Sequence, residues 1–348
     1  MKRVGLMWCA GVMILMMVVV QAQNSHGPRG LATLGQTIQT PDSAFRKPWP
    51  RSVYGPQSIN LKTRRDLTKN GTYAFESTHY RYISNQKIEP RMVKRFAVLF
   101  ETTHSYVLSL PLNASAHYRQ SSDKYLVYLF GDLDSYHRSG GPVGSSGVYM
   151  PRTGAVMVPL PVLGVRWNGK KWVIEKGDGN NVLSHELAHQ LTMGTRFGAW
   201  YIEGSAEYVA TTRYTHGMYH AGTNNKKRVF NYIKSKDGID GGTGRRLGRR
   251  IKTLRVESLM HLPYRQFAGA GANHNYGMGL LLTYYLYHED GRRDGAAIKR
   301  YIKARQQGQS EKAAQVELLG GRSYAQLQES FRKFCASGGV TLLFPKGR

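Results

Sequence analysis

One stretch of the chain, Val182–Leu191, combines metal-binding and apolar residues in a pattern that strongly restricts its structure. It contains the motif H-E-x-x-H, in which His185 and His189 lie four positions apart. Residues four apart on an α-helix share one face, so both imidazoles can face a single metal ion. Glu186 follows the first histidine, where a carboxylate can take a proton from water at the metal. The stretch therefore predicts a helix with two metal ligands and a general base.

The neighbours of the two histidines distinguish this motif from a chance match. H-E-x-x-H also occurs on long exposed helices, where it forms a solvated polar face. Here the surrounding apolar residues indicate a mostly buried helix, and they are Val182, Leu183, Leu187, Ala188 and Leu191. A buried histidine needs a polar partner. Two imidazoles, a carboxylate and an open fourth position favour zinc, so we expect one Zn²⁺ ion.

The first 22 residues have the pattern of a secretory signal peptide. Lys2 and Arg3 precede an apolar run over residues 4–20, and the small residue Ala22 offers a cleavage site. An uncleaved membrane anchor is the alternative, but a run of about seventeen residues is at the short limit for spanning a bilayer. We therefore expect cleavage after Ala22 and export to the periplasm or the exterior.

Cysteine content and charge limit the further possibilities. Removal of the leader, which contains Cys9, leaves Cys335 as the only cysteine, so no disulfide can form within the mature chain. The formal net charge is +27, or +25 without Lys2 and Arg3, which favours a weak attraction to anionic envelope polymers. The basic residues are widely spread and match no nucleic-acid-binding signature, so we expect no specific nucleic-acid partner.

Composition divides the rest of the chain into three parts. Residues 23–57 are polar and rich in proline, which predicts a flexible linker. Residues 58–195 predict an α/β subdomain that ends with the H-E-x-x-H helix, and residues 196–348 predict a helical subdomain. Residues 221–256 form an insertion rich in Gly, Arg and Lys. We interpret it as solvated, partly mobile surface, with a docking patch for acidic substrate or polymer as the alternative.

Apolar periodicity places several elements before the H-E-x-x-H helix. Residues 90–110 have an apolar face that recurs every three to four positions, which predicts a helix. The run 124–130 is continuously apolar and suits a strand buried on both sides. Prolines close the run that starts at Ala155, which favours an edge strand over Ala155–Val158. Asn168-Gly169 between two short apolar runs predicts a β-hairpin.

A catalytic zinc site needs a third protein ligand. Glu203 and Glu207 are the next acidic residues, within Trp200–Ala210, and they are again four positions apart on a predicted helix. Either carboxylate can reach the metal while the other holds a histidine in place. The spacing does not choose between them.

Two motifs together resemble the gluzincin metallopeptidases, the thermolysin-like group with two histidine ligands and a glutamate. They are H-E-L-A-H-Q at 185–190 and W-Y-I-E-G-S-A-E-Y at 200–208. Related aminopeptidases carry W-L-x-E-G-x-A, whose glutamate binds zinc, so the resemblance implies Glu203 as ligand and Glu207 as its support. Small exported bacterial members share a short gap between the second histidine and the glutamate, which here is the thirteen residues between His189 and Glu203, and a G-V-Y-x-P stretch like 147–151.

The resemblance implies a fold and further site residues. The expected fold is α+β: a thermolysin-like minimal metallopeptidase domain with a small mixed sheet, then the active-site helix and a helical subdomain. The edge strand, expected at Ala155–Val158, would line the cleft and pair with the peptide backbone. A tyrosine at the start of a later helix would stabilise the oxyanion. Tyr276 is the first choice and His274 the second, and simple packing of Tyr276 is the alternative.

These observations lead to one main hypothesis and two rivals. The main hypothesis is an exported zinc metallopeptidase that hydrolyses a peptide or protein substrate. The aminopeptidase motif G-x-M-E-N is absent, which favours endopeptidase action. A zinc-stabilised envelope module that binds anionic polymers without catalysis is the first rival, and a zinc amidase acting on cell-wall peptides is the second. Glu186 favours an enzyme, because a purely structural zinc site does not need it.

Overall fold

The computed structural model describes residues 43–345, apart from residues 70, 113–123, 176–179, 193–196, 223–224 and 236–243. The predicted signal peptide and the first part of the predicted linker lie outside the described residues. None of the described helices has the length and the apolar character needed to cross a bilayer.

Helices and strands are mixed along the chain in an α+β arrangement. The helices are α1 Ser43–Arg46, α2 Pro90–Ser109, α3 Leu133–Arg138, α4 Asn180–Thr192, α5 Ala199–Thr211, α6 Asn225–Lys234, α7 Val256–Met260, α8 Tyr264–Phe267, α9 Ala272–His288, α10 Ala296–Gln306, α11 Glu311–Leu319 and α12 Tyr324–Ser337. The strands are β1 Ser52–Tyr54, β2 Lys62–Thr63, β3 Tyr73–Glu76, β4 Tyr80–Ser84, β5 Tyr125–Phe130, β6 Val148–Met150, β7 Ala155–Pro159, β8 Val165–Trp167, β9 Trp172–Ile174, β10 Arg213–Thr215, β11 Met218–His220, β12 Arg250–Lys252 and β13 Thr341–Leu343. Two 3₁₀ helices add Arg65–Leu67 and Leu160–Leu163.

A mixed six-stranded sheet has the order β2-β3-β4-β5-β7-β6. The predicted buried strand β5 lies in its middle and pairs parallel with both β4 and β7. The edge-strand prediction for Ala155–Val158 is wrong, because β7 is flanked by β5 and β6. The edge on this side of the sheet is β6, which pairs antiparallel with β7 through Tyr149 and Val156. Pro159 is compatible with an inner position because it is the last residue of β7.

Predictions for the hairpin, the helix at 90–110 and the linker have different outcomes. The hairpin around Asn168-Gly169 is confirmed, since β8 and β9 pair antiparallel. The predicted helix at 90–110 is confirmed as α2, which begins with Pro90 at a position where no backbone N–H is needed.

The prediction of a flexible linker over 23–57 is wrong for its last part, because Ser52–Tyr54 pairs with β11. Trp49 also packs on Tyr287, with 5.0 Å between ring centroids. These long-range contacts order a segment whose composition is typical of a linker.

The helix that carries the H-E-x-x-H motif, α4, packs against α2, α5 and strands β6 and β7. Leu183, Leu187, Ala188 and Leu191 are buried as predicted, whereas Val182 is exposed. The amide of Gln190 donates hydrogen bonds to the carbonyls of Leu126, at 2.9 Å, and Gly154, at 2.8 Å. The glutamine that follows the second histidine thus fixes α4 to the central sheet.

Helices α5 and α9 cross closely at two glycines. A Cβ atom on Gly204 would lie 2.3 Å from Oγ1 of Thr283 and 2.5 Å from the carbonyl oxygen of Gly279. A Cβ on Gly279 would lie 3.1 Å from the carbonyl oxygen of Trp200. Glu203 precedes one glycine and Tyr276 lies one turn before the other, so this close approach places both near the histidines.

The basic insertion at 221–256 is only partly described, and its described part is not merely solvated surface. Helix α6 buries Val229, Phe230, Tyr232 and Ile233. Arg245 reaches a buried carboxylate of α5. The prediction of a solvated segment is wrong at these residues because sequence pattern does not reveal which face of a basic segment meets the core.

Candidate metal centre

Three side chains from two neighbouring helices converge on one point. The Nε2 atoms of His185 and His189 lie 3.0 Å apart. Oε2 of Glu203, from α5, lies 3.2 Å from Nε2 of His185 and 3.4 Å from Nε2 of His189. All three residues are buried, with 8%, 7% and 1% of their surfaces exposed in the order His185, His189, Glu203. They form a group that could hold a metal ion.

Glu207 occupies a different position from Glu203. Its Oε1 atom lies 3.0 Å from Nδ1 of His185, on the side of the ring away from the cluster. Burial alone would raise the pKa of Glu207, but the charge of Arg245 and the contact with His185 lower it to about 2. An ionised carboxylate only accepts hydrogen bonds, so Nδ1 of His185 must donate. In the neutral imidazole, this leaves the lone pair of Nε2 directed at the cluster.

The donor set fits a bound cation. Burial alone would raise the pKa of Glu203, but His189 and His185 hold it well below its usual range. The cluster therefore brings an ionised carboxylate and two nitrogens together in a buried space. Burial lowers the pKa of His185, yet its contacts with Glu203 and Glu207 outweigh this and raise it to about 10. The site thus favours positive charge, which either a proton or a metal ion can supply.

The distances between donor atoms also suit a small metal ion. Bonds of about 2.1 Å to a tetrahedral zinc place ligand atoms about 3.4 Å apart. The three separations of 3.0, 3.2 and 3.4 Å lie close to that value. Magnesium and calcium prefer oxygen ligands, whereas imidazole suits zinc and other transition metals.

Glu186 lies beside the cluster but outside it. Its Oε2 atom accepts a hydrogen bond of 2.7 Å from the backbone N–H of Tyr149 in β6. The carboxylate therefore lies against the backbone of the edge strand. The arrangement is compatible with the two roles that the sequence predicts. His185 and His189 lie in the donor group as candidate ligands, and Glu186 lies next to it as the candidate base.

Tyr276 lies next to the donor group, as predicted. Its ring stacks on His185 with 6.1 Å between centroids and 21° between planes. Burial raises the pKa of Tyr276 above its usual range, and the charges of Glu203, Glu207 and Glu186 raise it further. The phenol therefore keeps its proton. No hydrogen bond or ring contact connects His274, the second choice, to the donor group among the described residues.

Tyr264 and Arg245 also belong to the site, although no sequence pattern predicts them. The hydroxyl of Tyr264 donates to Oε1 of Glu203 at 2.8 Å, while 53% of the residue remains exposed. Arg245 donates two hydrogen bonds to Glu207, at 2.9 and 2.5 Å. Its guanidinium also lies 5.1 Å from the ring centroid of Tyr276. The repeated Arg-Arg pairs of the insertion gave no signal that one arginine is buried.

Comparisons with known proteins add no family assignment, because no protein-family model and no curated protein matches the chain.

Proposed function

We propose that the protein is an exported zinc metallopeptidase of the gluzincin type, with a thermolysin-like catalytic domain. His185, His189 and Glu203 would hold the zinc ion. The observation that carries the proposal is the position of Glu186, whose carboxylate contacts the edge strand at Tyr149 and lies outside the three-residue donor group. A structural zinc site needs its ligands only, whereas hydrolysis needs a base beside them.

The edge strand supports a peptide substrate. Strand β6 pairs with β7 on one side and with no other strand in the described part of the chain. An extended peptide can add to such an edge through backbone hydrogen bonds. A peptide placed there has its scissile bond near Glu186, because Glu186 already contacts the backbone of β6. The cleft strand of this proposal is thus Val148–Met150 and not Ala155–Val158.

The side chains around the donor group have separate tasks in hydrolysis. Zinc, when bound, supplies a Lewis acid that polarises the peptide carbonyl and lowers the pKa of a water molecule. Glu186 takes the proton from the attacking water and passes it to the departing amine. The hydroxyl of Tyr276 remains protonated and donates a hydrogen bond to the developing oxyanion. Glu207 holds His185 in the orientation that directs Nε2 to the donor group.

A matched pair of variants tests the proposal. We expect Glu186→Gln to retain stoichiometric zinc and to lose hydrolysis, because the amide keeps the shape of the side chain but accepts no proton. We expect His185→Ala to lose both. Zinc content is measured by mass spectrometry of the metal, and hydrolysis by mass spectrometry of a mixed peptide library.

The two readouts distinguish the proposal from its rivals. A Glu186→Gln variant with full activity would refute the mechanism. If the wild-type protein holds zinc and cleaves no peptide of the library, the metallopeptidase proposal is wrong. Export is a separate part of the proposal, and it is tested by determining whether the N-terminus of the protein isolated from cells is Gln23.

A further inference from the structure

We infer that a row of exposed cations beside the metal centre binds an acidic segment of the peptide substrate. The row, here called the basic strip, follows Arg245 in the chain and consists of Arg246, Arg249, Arg250, Lys252 and Arg255. The inference rests on the proposed function, since it names the class of substrate that the same site would take.

No residue in the described part of the chain neutralises the charges of the basic strip. All five side chains are exposed, and none forms an ion pair with the residues that the structure describes. The sequence contains no aspartate or glutamate between Asp240 and Glu257. Cations of the preceding helix differ, because Lys226 pairs with Glu289 at 3.0 Å and Lys234 donates to the carbonyl of Gly338 at 3.2 Å. The strip therefore has charge available for a partner, whereas Lys226 and Lys234 of α6 already contact other groups of the protein.

The basic strip begins one residue after Arg245, which contacts the residues around the metal centre. Arg245 contacts Glu207, which in turn contacts His185. Arg249 is four residues further along the chain and Lys252 seven. An extended chain covers at most about 3.6 Å per residue, so their backbones lie within about 14 Å and 25 Å of Arg245. A bound peptide covers the same distances in about four to seven residues. An acidic segment within that distance of the scissile bond can reach the strip.

Strand β12 gives the basic strip a repeat that matches an extended peptide. Arg250 and Lys252 are exposed on one face of the strand and Ile251 between them is buried. Side chains two apart on a strand are about 6.7 Å apart, which is also the repeat of alternate residues in a bound extended peptide. Carboxylates at every second position of the substrate can therefore face successive cations of the strip.

Composition favours an acidic peptide over a nucleic acid as the occupant. Proteins that bind single-stranded nucleic acids combine cations with aromatic side chains on which the bases stack. Residues 246–255 include no aromatic residue. The strip therefore offers charge without stacking, which suits carboxylates on a peptide.

Binding is tested without turnover on the full mature protein carrying Glu186→Gln. The probes are a fluorescent peptide of alternating Glu and Ser and its counterpart of alternating Gln and Ser. We expect the acidic peptide alone to bind, and we expect its affinity to fall as salt rises. The variant R249Q/R250Q/K252Q should weaken binding about tenfold, since each exposed pair contributes modestly. The matched control K87Q/K94Q/R95Q removes the same charge from exposed positions around the start of α2 and should bind as before.

The outcomes separate this inference from the proposed function. Equal weakening by both triple variants would show an effect of net charge and overturn the inference. A single-stranded oligonucleotide of equal charge that binds more tightly than the acidic peptide would also overturn it.

In a second assay, wild-type protein is given cleavable peptides with either Glu or Gln four to seven residues from the scissile bond. Equal kcat/KM for the two peptides would refute the inference that the basic strip binds an acidic segment of the substrate. Selective binding of the acidic peptide without any cleavage would refute the proposed peptidase function and leave the binding inference intact. Thermal melts of each variant verify that it is folded.

Discussion

Nδ1 of His185 donates a hydrogen bond to Oε1 of Glu207 across 3.0 Å, and Glu207 in turn accepts two hydrogen bonds from Arg245. This chain of contacts fixes the tautomer of His185 so that Nε2 faces Glu203. The orientation of one imidazole of the candidate donor group is thus set by an arginine from the basic insertion, which belongs to a different segment of the chain.

The first prediction ranks the two glutamates by their effect on metal affinity. Glu203→Gln removes a charged donor and should abolish tight zinc binding. Glu207→Gln only weakens the support of His185, and loss of such support typically costs about 10- to 100-fold in metal affinity. Competition with a chelator of known affinity measures both. If Glu207→Gln loses as much affinity as Glu203→Gln, the assignment of the ligand is wrong. Glu329→Gln, at an exposed ion pair, is the control.

The second prediction concerns Arg245 and stability. Arg245→Ala leaves the buried carboxylate of Glu207 without its main counter-charge, and removal of one partner of a buried pair costs about 3–5 kcal/mol. Arg245→Ala combined with Glu207→Gln should cost less than the sum of the two single changes, because no buried charge is left unpaired. Denaturant unfolding of the four proteins in the presence of chelator measures the coupling. Additive effects would show that Arg245 and Glu207 do not depend on each other.

The third prediction concerns the close crossing of α5 and α9. Gly204→Ala would place a methyl group 2.3 Å from Oγ1 of Thr283 and 2.5 Å from the backbone of Gly279, so the helices must separate. Such overpacking typically costs about 1–3 kcal/mol. Because Glu203 and Tyr276 lie on these helices, metal affinity and activity should fall as well. Ser205→Ala, on the neighbouring residue, is the control for helix content. Unchanged stability in Gly204→Ala would contradict the crossing described here.

Local geometry explains why part of the site was predictable from sequence. His185, Glu186 and His189 lie within five positions of one helix, and helix geometry alone fixes their relative directions. Which of Glu203 and Glu207 faces the two histidines depends on how α5 packs against α4. The spacing of the two glutamates in the sequence does not predict that packing. The Gly204–Gly279 contact that sets this packing joins residues 75 positions apart.

Elements defined by distant pairing were the ones that sequence reasoning misplaced. Strand β6 has only three residues, so its own alternation is too short to indicate an edge strand, and the prolines after Ala155 directed the prediction to β7. Ser52–Tyr54 becomes a strand because β11, more than 160 residues later, is available for pairing. Tyr264 and Arg245 belong to the site because of tertiary contacts with Glu203 and Glu207. No local sequence motif indicates these contacts.

The last prediction is a loss of stability at mildly acidic pH. Burial lowers the pKa of His288 to about 4, and its Nε2 atom lies 2.9 Å from the hydroxyl of Tyr208. In the unfolded chain the same imidazole has its ordinary pKa near 6.5. The unfolded state therefore binds more protons between these values, so stability is complete above pH 6.5 and falls as pH decreases towards 4. One such histidine accounts for about 1–2 kcal/mol between pH 7 and pH 5.

His288→Gln isolates this contribution, because glutamine keeps a polar contact with Tyr208 and does not titrate. We expect the variant to be less stable than the wild type at pH 7 and to lose less stability on acidification. The free energy of unfolding in urea, measured at pH 7, 6 and 5 with chelator present, gives the difference. His104, whose pKa burial also lowers to about 4, remains in both proteins and cancels in the comparison. Parallel pH profiles for the two proteins would show that the pKa of His288 is the same in the folded and unfolded states, and would contradict the prediction.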